Sequence, residues 1–179
     1  MNYTVSLNDK SQYISFNSKS SDLKARYLSN FIGNSITIPF GTGETLTFPT
    51  AEHAFQASKF YINGHYDYAR TFTNTNMTAI EAKKAGKALK LSPHELQIWS
   101  NVVKQAQIFI CWEKIKTTPG LCEYLISTKG KYLLHLEALG RWSEYGGVFL
   151  EKSPFNDNKL WLKGNNLLGN IWMEIRDNM

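Results

Sequence analysis

The sequence predicts an α+β fold: one mostly helical domain, residues 1–179, with a small antiparallel β element. Three observations predict it. The first 48 residues contain short alternating or β-branched runs punctuated by glycine. From Thr50 onward, apolar residues recur at helical spacing behind recognisable caps. No repeat, low-complexity tract or linker divides the 179 residues, a length that suits one compact domain.

The elements follow in order. "YTVSL" (3–7) alternates, and "YISF" (13–16) is short and β-prone. "NSKSSDLKARYLSNF" (17–31) reads as a polar loop running into an apolar anchor. "SITIPFGTGETLTF" (35–48) reads as a hairpin turning at Gly41 to Gly43. Thr50 is placed to cap a helix over about 51–60. Thr78 with Glu81 forms a capping box opening the next helix, and Ser92, Pro93 and Glu95 form another with proline at the first helical position. That third helix carries Leu96, Trp99, Val103, Ala106 and Ile110 on one apolar stripe, widened by Val102 and Phe109. Thr118 and Pro119 start a further helix, "GLCEYLIST", ending near Gly130. A last helix, about 166–176, presents Leu168, Ile171, Trp172 and Ile175 to the core. Segments 63–77 and 140–166 show no regular pattern, and the length of the second marks it as a candidate functional loop.

Composition narrows the function classes. Hydrophobic content of 42% with 13% aromatics supports a real core. A formal charge of +5 suits an anionic ligand. The basic residues are dispersed, which disfavours an obligate nucleic-acid binder. Cys111 and Cys122 lack metal or CxxC spacing and read as buried free thiols in a reducing, cytoplasmic setting. There is no signal-peptide pattern and no apolar run near the ~20 residues of a membrane span. His53, His65, His94 and His135 are scattered, and no nucleotide-loop, zinc-protease or serine-hydrolase motif occurs.

The chemistry-bearing stretch is "FPTAEHAFQASKF" (48–60). Glu52, Gln56 and Lys59 fall at i, i+4 and i+7 and share one helix face. Two readings stand side by side. A first-turn glutamate favoured by the helix dipole and a solvated lysine is the ordinary one, and spacing alone favours it. The other is a carboxylate lining a cleft with a lysine beside it, able to activate water, bind phosphate or attack a sugar carbon. His53 points about 100° away from Glu52 and reads as a core or supporting histidine.

"ISFNSKS", "YLSNF", "FPTAEHAFQASKF", "EAKKAGKA", "IW" at 98–99 and "GNNLLGNIWMEIR" resemble, in order and spacing, the NADAR superfamily of YbiA-like proteins over about 13–176. The resemblance implies a compact, mostly helical domain with a small sheet and N-glycosidase activity without a metal or other cofactor. One branch of that superfamily hydrolyses phosphorylated ribosylamino-pyrimidines of riboflavin biosynthesis. Another removes ADP-ribose from guanine in nucleic acid. The implied partner is therefore a phosphorylated ribosyl or ADP-ribosyl substrate, with ADP-ribosylated nucleic acid among the candidates.

By motif position, the resemblance implies Glu52 and Lys59 as catalytic, the lysine as a Schiff-base former. It also implies substrate contacts at Asn30, Phe31, Gln56, Trp99 and Asn166. The pattern DxxWG is altered here to "WSEYGG", which puts Trp142, Glu144, Tyr145 and Gly146 in its place. Glu144 is the candidate substitute for the displaced acid, while Tyr145, Trp142 or Trp99 offers a flat face for a base. Trp99 lies on an apolar stripe, which favours packing for it. The family's "WxxVK" has become "WSNVV", with Val103 in the lysine's place. These departures keep an alternative open: a nucleotide or ADP-ribose binding module without catalysis.

Overall fold

The computed structural model describes residues 4–6, 10–136, 149–152 and 159–179. In chain order the strands are β1 (Thr4–Ser6), β2 (Tyr13–Phe16), β3 (Ile36–Pro39), β4 (Thr45–Phe48), β5 (Tyr132–His135), β6 (Phe149–Lys152) and β7 (Lys159–Lys163). The helices are α1 (Leu23–Arg26), α2 (Ala51–Tyr61), α3 (Tyr66–Arg70), α4 (Ala79–Ala85), α5 (Pro93–Thr117), α6 (Leu121–Ser127) and α7 (Leu167–Asp177). The class is α+β and mainly helical, as the sequence predicts. Two compact units make up the chain: Asn30–Pro119, and Met1–Ser29 with Gly120–Met179.

In Asn30–Pro119 the local signals act as expected. β3 and β4 form the antiparallel hairpin, with Ile36 opposite Phe48 and Pro39 opposite Thr45. Both predicted capping boxes form, Thr78 with Glu81 and Ser92 with Glu95, each closing two backbone N–H groups reciprocally. α2 runs through the middle of this unit and is buried on nearly every side. Its core neighbours include Ile36, Ile38, Phe48, Phe72, Ala82 and Ile110. Segment 63–77 holds more structure than its pattern shows, namely α3 and a 3-10 turn over Thr71–Thr73. These pieces are too short to display a period. Phe60 holds them from α2, edge-on to Tyr68 at 4.7 Å and stacked on Phe72 at 5.9 Å.

The predicted stripe on α5 is corrected. Leu96 and Phe109 are 51% and 41% exposed, while the buried row is Trp99, Val103, Gln107, Ile110, Cys111 and Lys114. Two polar residues replace two apolar ones because the segment after Ser29 offers them partners. Gln107 pairs with the Asn30 amide, and the Lys114 ammonium donates to the Ile32 carbonyl. Gly33 at φ 132° leaves room for that lysine, since a Cβ there would stand 2.9 Å from its Cε.

In the other unit, β1, β7 and β6 form an antiparallel sheet in that order. β6 and β7 lie inside the segment 140–166 that shows no pattern in sequence. β2 and β5 pair in parallel, Tyr13 opposite Tyr132 through Phe16 opposite His135, so the β structure is not wholly antiparallel as expected. Asp22 caps α1 within the predicted loop, accepting from Lys24 N at 2.9 Å. α7 buries Leu168, Ile171, Trp172 and Ile175 as predicted, and the Trp172 indole donates to Leu28 O at 2.8 Å. Cys111 is buried and Cys122 half-buried, both as free thiols. No described helix is long and apolar enough to cross a membrane.

Candidate active site

α2 positions the site. Its 3.6-residue turn sets Glu52, Gln56 and Lys59 along one face, and unlike a solvated edge that face is covered. Glu52 is 6% exposed and Gln56 9%. Gln56 Nε2 donates to Glu52 Oε1 at 2.9 Å, one turn away. The chain before β3 closes the first turn of α2, where Glu52 N donates to Asn30 O at 2.9 Å. The Asn30 side chain also hydrogen-bonds the Glu52 carboxyl. A double amide bond with Gln107 on α5, at 2.9 and 3.2 Å, holds Asn30 in turn. The ordinary reading of Glu52 as a solvated first-turn glutamate therefore fails in this fold.

Burial and charge act on the two titratable groups in opposite directions. Burial raises the Glu52 pKa, against the hydrogen bond from Gln56, the charges of Lys83 and Lys59 and the bond from Asn30. Burial lowers the Lys59 pKa, opposed by Glu52 and assisted by Lys87. Each group is thus pushed toward its neutral form, and in both cases desolvation outweighs their mutual attraction. The Lys59 ammonium donates to the Gly86 carbonyl just past α4 and lies 4.5 Å from the Phe60 ring centroid.

His53 is a core residue. It is fully buried, with Nδ1 2.9 Å from Thr50 Oγ1 and Nε2 2.9 Å from Met77 O. A carbonyl only accepts, so Nε2 carries the proton and Nδ1 accepts from the hydroxyl. Burial lowers its pKa. Thr50 accordingly occupies the N-cap position without the predicted side-chain cap bond.

The other expected positions divide. Phe31 is half-buried, with the Lys83 ammonium 5.6 Å above its ring centroid. Trp99 is 4% exposed and packs edge-on against Phe55 at 5.3 Å, in keeping with its apolar stripe. Asn166, in the other unit, uses both ends of its amide on β5: Nδ2 donates to Leu133 O at 2.9 Å and Oδ1 accepts from His135 N at 3.0 Å. This is a structural use. Trp142, Glu144, Tyr145 and Gly146 lie outside the described residues.

An apolar cleft of about 460 Å³ also opens in the Asn30–Pro119 unit, lined by Phe40, Tyr61, Ile62, Tyr66, Trp99 and Phe109 among others. Tyr61 sits about 180° round α2 from Glu52. From α2 and its end the cleft takes Ser58, Tyr61 and Ile62 and none of Glu52, Gln56 or Lys59, so its size does not make it the reactive site. Sequence reasoning missed Gln107, Lys83, Lys87 and Gly86. Gln107 falls four residues after Val103 and four before Cys111, a spacing that places it on the buried row. The other three lie in or beside "EAKKAGKA", where only the packing of the chain reveals their place near α2.

A family model of the NADAR domain matches residues 15–179. The NMR structure of the E. coli protein YbiA matches with a TM-score of 0.60 and 22% identity, over 95% of this chain and 89% of that one, a likeness of fold. No curated protein sequence matches this one. With the family model spanning all but the first 14 residues, and with the fold shared with YbiA, the chain belongs to the NADAR family.

Proposed function

We propose that this protein is an N-glycoside hydrolase that separates a base from a ribosyl phosphate or an ADP-ribosyl group. One observation carries the reading. Glu52 and Lys59, on one helix face, are each displaced by burial toward neutrality, which is how acid–base and nucleophilic groups are matched to work near neutral pH. A carboxyl with a raised pKa is a stronger base toward water, and its ionised form offsets positive charge on the ribose as the base leaves. An amine with a lowered pKa supplies more of the free nucleophile. Lys83 beside Glu52 and Lys87 beside Lys59 add positive charge to the site, which suits an anionic substrate.

In this reaction the Lys59 nitrogen forms a bond to the anomeric carbon of the ribose. The C–N bond to the base breaks, and the base departs with the bonding pair and takes up a proton. The ring opens to an imine on Lys59. Water, deprotonated by Glu52, adds to the imine carbon, restoring the amine and releasing the free sugar. The net change is one water consumed per bond cleaved.

The test is an HPLC assay of the protein with a ribosylamino-pyrimidine phosphate and with ADP-ribosyl guanine nucleic acid, reading which free base appears. Borohydride added during turnover is expected to trap an adduct that Lys59→Ala cannot form. Full activity with no trapped adduct would replace the lysine route by direct attack of water. Tight ADP-ribose binding with no base released from either substrate would leave a binding module and end the hydrolase reading.

A further inference from the structure

Gly86 ends α4 with φ −58° and ψ −9°, an ordinary right-handed conformation that any residue adopts. Its lack of a side chain is therefore not a backbone requirement. The requirement is space. A Cβ at residue 86 would lie 1.9 Å from Gln56 Oε1, 2.5 Å from Gln56 Cδ and 3.0 Å from Gln56 Cγ. Those atoms belong to the amide that donates to Glu52 at 2.9 Å. The carbonyl of the same glycine accepts from the Lys59 ammonium. Gly86 thus meets both polar neighbours of Glu52 on α2, one through an absent side chain and one through its backbone.

We propose that Gly86 is a positioning residue: by having no side chain it lets the backbone after α4 press the Gln56 amide onto Glu52, while its carbonyl aims Lys59. The structure separates this from a merely structural role. The three atoms nearest a methyl group at 86 all belong to the Gln56 side chain and none to backbone, so the fold yields by turning Gln56 away. The site yields more, because Glu52 loses the hydrogen bond that most opposes the effect of its burial. The groups facing Glu52 are Gln56 and Lys59 from α2, Lys83 from α4 and Asn30 from the segment before β3, and Lys87 faces Lys59. Of these groups it is Gln56 that supplies the three atoms nearest the added carbon.

The catalytic consequence rests on the N-glycosidase reading, but the decisive measurement needs no substrate. Carbon-13 NMR of glutamate-labelled protein follows the Glu52 carboxyl titration in wild type, Gly86→Ala, Gln56→Ala and the double variant. Gly86→Ala is expected to move the Glu52 midpoint upward, with a melting temperature within a few degrees of wild type. Gln56→Ala is expected to move it upward too, and adding Gly86→Ala to Gln56→Ala is expected to change nothing, because the struck group is gone. If Gly86→Ala fails to fold, the double variant, which has room for the methyl, is expected to fold. An unmoved midpoint in Gly86→Ala would overturn the proposal. So would an equal shift with and without Gln56, or a double variant that also fails to fold. Loss of the hydrolase reading would leave these titrations untouched, so the two failures are distinguishable.

Discussion

Replacing Glu52 by glutamine tests the site and the fold together. The substitution keeps the volume, so no cavity opens around a side chain that is 6% exposed. The new amide keeps an oxygen to accept from Gln56 Nε2, now at 2.9 Å from Glu52 Oε1. What is lost is the charge, together with one of the two acceptor oxygens that face Gln56 and Asn30. A positioned acid–base group contributes about 10²–10⁴-fold, or ~2.7–5.4 kcal/mol at ~1.36 kcal/mol per tenfold, and base release is expected to fall by that factor. Stability moves the other way. The folded pKa of Glu52 is raised above its ordinary 4.5, so between 4.5 and the folded value the native state binds more protons than the unfolded one. Stability is therefore lost as pH rises through that window. Glu52→Gln escapes the loss and is expected to melt higher at neutral pH, by ~2–4 °C for each ~1 kcal/mol gained. The gap should close below pH 4.5, where both side chains are neutral. The assay is calorimetry at pH 4 and pH 7 beside the HPLC readout of free base. Wild-type turnover, or a variant that melts lower at pH 7 by the same margin as at pH 4, would refute the reasoning.

Three further outcomes follow from other parts of the molecule. Lys83→Ala combined with Lys87→Ala is expected to raise KM for a phosphorylated substrate ~2- to 10-fold at low salt, the scale of two exposed charges, and less at high salt. Equal KM at both salt concentrations would remove these lysines from substrate attraction. Burial pushes the Lys114 ammonium down from 10.5 to about 7, so between those values the unfolded state binds more protons and wild-type stability rises with pH. Lys114→Met lacks that rise, and parallel melting curves for the two proteins from pH 7 to 10 would contradict it. Trp172→Phe leaves Leu28 O without the indole donor at 2.8 Å and is expected to cost ~1–3 kcal/mol in urea unfolding. A loss near zero would mean that another donor or water replaces the indole.

The alternation of 36–48, the caps at Thr78 and Ser92 and the stripe of α7 each depend on groups a few residues apart. A sequence can state such features completely, and these were legible. The shared face of Glu52, Gln56 and Lys59 belongs with them, because a helix repeats every 3.6 residues whatever surrounds it. Its burial does not. Asn30, Gln107 and Gly86 close over that face from separate parts of the chain, and no periodicity within α2 reports them. The same limit explains Leu96 and Phe109, apolar by pattern yet exposed, and Gln107 and Lys114, polar yet buried. It explains the parallel pairing of β2 with β5, whose partners lie more than a hundred residues apart. The sequence alone determined the class, the principal helices and which side chains share a face. Tertiary packing decided which of those faces loses its water, and desolvation is what turns an ordinary first-turn glutamate into a carboxyl with a raised pKa.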